Sequence, residues 1–379
     1  MSLHLDVQTA TFRPTRLEID LTAIRANVAR FREVTGSQVC AVVKADGYGH
    51  GAAPVARAAL DAGASWLAVA LVEEGLSLRE SGIDAPILLL SEPPLGAVPT
   101  LVEADLTPTV YRAPFIAALE GAGHARGRPI GVHVKADTGM ARVGIPEPDW
   151  DARLRQLAAA RGVQVTALQT HLARADEPSQ PTTDEQLARF DRFVALAAKL
   201  GIRPELQHTA NSAGALVHPA ARRTLVRPGI GMYGLSPGEE VDAADHDLRP
   251  ALRLTSEVGL VKQLAAGTPV SYGHHWQAPH DGWLATVPIG YADGVPRALS
   301  NRAEVAIGGR RRPIVGRVCM DQILVWCGED EPQVGDPVVL FGQQGEARLR
   351  VEEWAAAADT ITYEIVTQLT ARLPRFHHG

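Results

Sequence analysis

Several stretches of this 379-residue chain put reactive side chains where a strand should end. In residues 41–51, AVVKADGYGHG, a short apolar and partly β-branched run closes on Lys44. Three glycines in the next turn, Gly47, Gly49 and Gly51, bend the chain sharply before the helical residues 52–62. A lysine at the end of a buried strand is partly desolvated. Its amine then releases its proton more readily than a surface ammonium does, as a Schiff-base lysine requires. The same pattern recurs. Lys135 opens KADTGMAR, which ends on Arg142, and His171 closes LQTH. HTANSA, with Ser212, and RPGIG, with Arg227, Gly229 and Ile230, follow two further strand-like runs. Each has a plain structural explanation alone: a snorkelling lysine, a core histidine, a surface arginine, a helix cap at Asn211-Ser212. Recurrence at successive strand ends is not what those explanations predict.

The elements that would position these groups read as follows. Residues 16–21, RLEIDL, alternate like a strand, and Thr22 is placed to cap a helix with Leu21, Ile24, Val28 and Phe31 on one face. Helix-like residues 55–62, 73–81, 115–122 and 184–200 alternate with strand-like residues 65–71, 85–91, 107–111, 129–135, 163–170, 206–209 and 224–227. About eight strands alternating with helices predict a (β/α)₈ barrel, with a doubly wound open sheet as the alternative that periodicity leaves open. In a barrel the strand C-termini form the active face. Near Leu248 the texture changes. Strand-like runs at 255–263, 268–272, 284–289, 304–307, 312–318, 322–326 and 337–341 take over, with one helix at 351–358. The expected architecture is therefore a TIM-like α/β barrel over residues 1–248, followed by a mostly-β domain over 249–379. Residues 1–15 are left free to pack with the β domain, and residues 237–249 read as an acidic, flexible linker.

Composition narrows the function. Apolar residues make up 46% and charged residues 21%, enough for an ordinary core. The net charge of −6, without a long basic run, argues against nucleic acid as a partner. Three cysteines without metal spacing point to reduced thiols in a cytoplasm and to no metal site. Residues 1–16 lack the apolar core of a signal peptide, and the apolar runs at 66–72 and 86–90 are too short to span a membrane.

The motifs KADGYGHG, KADTGMAR, THLARADE, HTANS, RPGIGMYG, SYGHHW, PIGYADGVPR, GRVCMDQ and TYEIVT, in that order over nearly the whole chain, resemble those of the alanine racemases. These enzymes use pyridoxal 5′-phosphate (PLP). The resemblance implies a barrel joined to a C-terminal β domain, in a homodimer with shared active sites. Lys44 would carry PLP covalently, and Tyr48, Ser212, Gly229, Ile230 and Tyr363 would surround its phosphate. Arg227 would face the pyridine nitrogen, where an arginine can only donate, which weakens the ring as an electron sink. Arg142 and the backbone N–H of Met320 would hold the carboxylate of alanine, and Lys135 matches a lysine that the family often carbamylates, giving an anion that orients that arginine. Racemisation needs a base on each face of Cα. The resemblance assigns Lys44 to one face and Tyr272, from the other subunit, to the opposite face. A phenol is a weak acid, so nearby cations would have to assist Tyr272. His171 is its hydrogen-bond partner in the family and also lies beside the cofactor, and Asp321 lies near Tyr272. Gly47, Ala141 and the pair His274-His275 depart from the commonest pattern. The reading is interconversion of L- and D-alanine, supplying D-alanine for peptidoglycan. The alternatives are a broader racemase acting on serine or basic amino acids, a decarboxylase of the same architecture, and a single-barrel PLP-binding protein, which would leave the β domain unexplained.

Overall fold

The computed structural model describes residues 12–379, so the expectations for residues 1–11 lie outside the described residues. The chain divides into two compact units. One is Leu21–Arg249; the other is Pro250–Gly379 together with the segment that ends at Asp20.

The first unit is built on eight strands: β1 (Gln38–Val42), β2 (Trp66–Val69), β3 (Ile87–Leu89), β4 (Thr107–Val110), β5 (Ile130–Lys135), β6 (Val163–Gln169), β7 (Leu206–His208) and β8 (Leu225–Val226). They pair in parallel in sequence order from β1 to β7, and β1 also pairs with β8. The seam between β7 and β8 is stitched largely through a side chain. The Gln207 N–H donates to Thr224 Oγ1 (2.7 Å), and that hydroxyl donates to the Gln207 carbonyl oxygen (3.2 Å). The Arg227 N–H also reaches the Ala210 carbonyl oxygen at 2.9 Å. The two ends of the sheet meet, so the unit is a nearly closed TIM-like barrel and not an open doubly wound sheet.

Amphipathic helices clothe the barrel. Helix Leu21–Thr35 buries Ala23, Ile24, Asn27, Val28 and Phe31, the face its 3.6-residue spacing defines. It starts at Leu21, so Thr22 lies inside the first turn and does not cap it. Helices Val98–Glu103 and Trp150–Ala159 escape the sequence reading. Val98–Glu103 is short, and Trp150–Ala159 buries only Trp150, Leu154 and Leu157 among charged neighbours. Residues 237–249 are tied down: the Asn27 side chain bonds both the N–H and the carbonyl oxygen of Arg249 (2.8 Å each), and Arg30 Nε reaches the His246 carbonyl oxygen.

The second unit is mostly β. Its largest sheet runs Arg310–Pro313, Glu304–Ile307, Pro337–Gln344, Leu252–Glu257, Arg16–Asp20, Arg375–His378. Arg16–Asp20 pairs antiparallel with Leu252–Glu257 and parallel with Arg375–His378. The run at 255–263 is two strands, Leu252–Glu257 and Leu260–Leu264, in different sheets. The break falls at Val258-Gly259, whose N–H groups turn to Asp336 and Thr286. Helix Thr362–Thr367 and the final strand are also absent from the sequence reading. Among the described residues no helix is long and apolar enough to cross a membrane.

Candidate active site

Lys44 stands just past β1, where the Val43 N–H makes the last bond to β2, at the Ala68 carbonyl oxygen (2.9 Å). The chain then forms a left-handed turn, with Ala45, Asp46 and Gly47 at φ of 51°, 51° and 60° and Tyr48 at 52°. Such a conformation costs about 1–2 kcal/mol for each residue with a Cβ. The turn is closed by bonds from the Gly47 N–H to the Val43 carbonyl oxygen and from the Gly49 N–H to the Ala45 carbonyl oxygen, and Asp46 Oδ1 accepts from the Ala52 N–H at the start of helix Ala52–Asp61. Burial lowers the pKa of the Lys44 amine, and Arg142 lowers it further, against a smaller opposing effect of the Glu74 carboxylate.

Tyr48 is buried and its ring lies 5.0 Å from that of Tyr233. Its hydroxyl approaches Gly229 so closely that a Cβ there would sit 2.5 Å from the oxygen. Ser212 is buried at the start of helix Ser212–Val217, which Asn211 caps through the Gly214 N–H. Ser212 Oγ accepts from the N–H groups of Gly229 (2.9 Å) and Gly231 (3.1 Å). With both lone-pair directions used, its hydroxyl is left as a donor. The Ile230 N–H has no acceptor among the described residues. The cradle therefore offers donors and no carboxylate, which suits an anion.

Arg227 is 4% exposed, and no carboxylate among the described residues pairs with it. Burial lowers its pKa to about 10, so it stays a cation near neutrality. Its guanidinium donates to the Thr170 carbonyl oxygen (2.8 Å), to His208 Nδ1 (2.6 Å) and to His171 Nδ1 (3.3 Å). Arginine only donates, so both histidines accept at Nδ1 and carry their proton on Nε2. His208 passes its Nε2–H to His133 Nδ1 (3.0 Å). Burial first, and Arg227 next, holds all three imidazoles neutral: His133 falls to about 3, and His171 and His208 lie well below the ordinary value. Lys135, at the end of β5, donates to the Leu90 carbonyl oxygen (3.2 Å). Burial, then Arg227, Arg142 and Lys44, lowers its pKa to about 7. The loop to Arg142 is shaped by Asp137, whose Oδ1 accepts from the N–H groups of Gly139, Met140 and Ala141 (3.0–3.1 Å). Arg142 itself is exposed.

The barrel thus carries Lys44, Tyr48, Lys135, Arg142, His171, Ser212, Arg227, Gly229 and Ile230, with the charges of Lys44, Lys135, Arg142 and Arg227 acting on one another at the C-terminal ends of the strands. Tyr272, Met320, Asp321 and Tyr363 belong to the other unit. There Tyr272 is 71% and Met320 53% exposed. Ser271, beside Tyr272, donates to the Arg317 carbonyl oxygen (2.8 Å), and Arg317 contacts His275 (2.7 Å). The Met320 loop is pinned by bonds from the Tyr291 and Ala292 N–H groups to the carbonyl oxygens of Cys319 and Met320. Gly290 is required there, because a Cβ would lie 2.3 Å from the Cys319 carbonyl oxygen. Asp321 pairs with Arg372 at 2.7 Å. Tyr363 lies in helix Thr362–Thr367. Sequence reasoning missed Glu74, Asp137 and His133. The signal for His133 was its place two residues before Lys135, on the same face of β5.

A parallel barrel whose strand ends combine an amine of lowered pKa, a buried guanidinium and a donor-only anion cradle is a barrel enzyme built to hold an anionic ligand beside a reactive lysine. Residues 19–237 match the family described as alanine racemase, N-terminal domain, and residues 251–377 match alanine racemase, C-terminal domain. The chain is 47% identical to the alanine racemase of Symbiobacterium thermophilum, over 97% of this chain and 98% of that one. Its fold matches the crystal structure of alanine racemase from D-cycloserine producing Streptomyces lavendulae with a TM-score of 0.94 and 42% identity, covering 98% of each chain. It also matches alanine racemase from Bartonella henselae, described with covalently bound pyridoxal phosphate (TM-score 0.87, 29% identity, 96% of this chain and 99% of that one). The chain belongs to the alanine racemase family.

Proposed function

We propose that this chain interconverts L- and D-alanine with PLP, held through Lys44, and so supplies D-alanine for peptidoglycan. The observation that carries the cofactor is the pairing of Lys44, with its lowered pKa, and the donor-only cradle around Ser212. The donor set fits the group. The Tyr48 and Ser212 hydroxyls and the Ile230 N–H suit a phosphate. Tyr363 and the Gly229 turn complete that end, and buried Arg227 suits the lone pair of a ring nitrogen. When bound, PLP supplies an electron sink that acidifies the Cα–H of an amino acid joined to it.

The chain's own residues do the rest. Arg142, on the loop that Asp137 shapes, receives the alanine carboxylate by its planar fork, and the Met320 N–H supports it. Lys44 Nζ takes or returns the proton on one face of Cα, and Tyr272 Oη does so on the other. His171, with its proton on Nε2, presents a donor toward Tyr272, and Asp321 stands near that tyrosine. Two copies form a homodimer and complete each other's sites, Tyr272 of one serving Lys44 of the other. Lys135 is carbamylated. With its pKa lowered to about 7 it offers a free amine at neutral pH. The ammonium first gives up one proton; attack of the free amine on CO₂ then forms an N–C bond, opens one C=O π bond and releases a second proton, so that a cation among cations becomes an anion that orients Arg142. We take the chain to work in the cytoplasm, which its three free cysteines support.

The test is circular dichroism of L-alanine incubated with PLP-loaded protein. Decay of the signal to zero, the racemic endpoint, is expected. A signal that persists while the protein holds PLP would refute the reading.

A further inference from the structure

The left-handed turn after Lys44 is held by a carboxylate that the reaction as described does not use. Glu74 sits in the first turn of helix Val72–Glu80. Its Oε2 accepts from the N–H groups of Ala70 (2.8 Å) and Leu71 (3.1 Å), an ordinary capping contact. Its Oε1 accepts from the Ala45 N–H at 2.6 Å. Ala45 opens the left-handed turn, and pairing between β1 and β2 has already stopped at the Val43 N–H, so the strand ladder offers that amide no partner. One carboxylate therefore ties the ends of β1 and β2 together beyond the point where the strands pair, by bonds that its charge strengthens.

We propose that Glu74 is a positioning residue for the reaction: it fixes the backbone on which Lys44 stands and sets a negative charge beside that amine. The inference rests on the reading of Lys44 as the covalent anchor. The charge of Arg142 acts on Lys44, and Lys44 and Lys135 act on one another, with Asp137 opposing the cations at Lys135 and Asp46 two residues along the turn, while His171 is held neutral. Burial and Arg142 depress the basicity of Lys44, and Glu74 is the group that opposes them. Without the carboxylate, Ala45 loses the acceptor that favours its unusual backbone, and the lysine amine loses the anion that opposes the effect of Arg142.

Two variants separate the parts. Glu74→Gln keeps the size, loses the charge and has one acceptor atom where the carboxylate has two. Glu74→Asp keeps the charge but is a methylene too short to serve both Ala45 and the helix start. For each, hydrogen exchange of residues 44–51, the rate of PLP loss from holoprotein, and the pH profile of covalent PLP uptake by apoprotein are measured. Losing one charge-assisted bond is expected to speed exchange and PLP loss about tenfold in both variants. The uptake profile should move to lower pH in Glu74→Gln, because the free amine is favoured once the anion is gone, and stay near wild type in Glu74→Asp. A merely structural helix-capping role would speed exchange in residues 72–80 and leave the uptake profile in place; that result overturns the proposal, as does wild-type behaviour in both variants. Borohydride reduction of wild type separates the two failures. Cofactor fixed elsewhere than Lys44 defeats the functional reading, whereas cofactor on Lys44 with unmoved variants defeats this inference alone.

Discussion

Lys135→Met should stabilise the barrel, and more at acid than at alkaline pH. Lys135 is 5% exposed, and its pKa falls from 10.5 to about 7, chiefly through burial. Below pH 7 both folded and unfolded chains carry the proton, so the folded state bears the whole cost of the buried ammonium. Between pH 7 and 10.5 the folded amine is neutral while the unfolded one is still charged. The cost then shrinks by about 1.36 kcal/mol per pH unit. From pH 7 to pH 9 the wild type therefore recovers about 2.7 kcal/mol relative to Lys135→Met. For a barrel of this size, 1 kcal/mol moves the melting temperature by about 2–4 °C. The advantage of Lys135→Met should thus be larger at pH 6 than at pH 9 by about 5–11 °C. The assay is thermal melting of PLP-free protein in CO₂-free buffer, since a carbamate would remove the ammonium. An equal difference at both pH values would refute the argument that burial of this cation costs stability. Restoring CO₂ at pH 9 should raise the melting temperature of wild type only.

Ser212→Ala removes the acceptor for two buried amides, Gly229 and Gly231, and should cost about 2–4 kcal/mol of stability and roughly tenfold in PLP affinity, read by melting and by fluorescence titration. Gly229→Ala would bring a Cβ to within 2.5 Å of the Tyr48 hydroxyl; that tyrosine should be displaced and PLP affinity should fall while L-alanine handling by whatever holoenzyme forms is largely kept. Ala141→Gly should stabilise by about 0.5–1 kcal/mol, because Ala141 sits at φ of 55°, where a Cβ is strained; a lower melting temperature would count against that strain.

Much of the site is legible because apolar strands stop at reactive residues. Lys135 ends β5, and Ser212 and Arg227 follow β7 and β8 closely, as their motifs suggest. What stayed hidden depends on contacts that no local pattern encodes. Ala45 carries no mark of a left-handed turn, since alanine ordinarily avoids it; Glu74, distant in sequence, accepts from its N–H, and Asp46 ties the turn to the Ala52 N–H at the start of the next helix. Glu74 reads as an ordinary glutamate in the first turn of a surface helix. His133 looks like one polar residue in a buried strand, and only closure of the barrel brings it to His208 and Arg227. The break at Val258-Gly259 is similar: continuous β propensity hid a change of sheet that the bonds to Asp336 and Thr286 enforce.

The central claim is that Lys44 holds the cofactor. Protein reconstituted with PLP, reduced with borohydride and digested should show the reduced cofactor on the peptide that contains Lys44, and Lys44→Ala should show none. Cofactor recovered on Lys135, or on no lysine at all, would contradict the account.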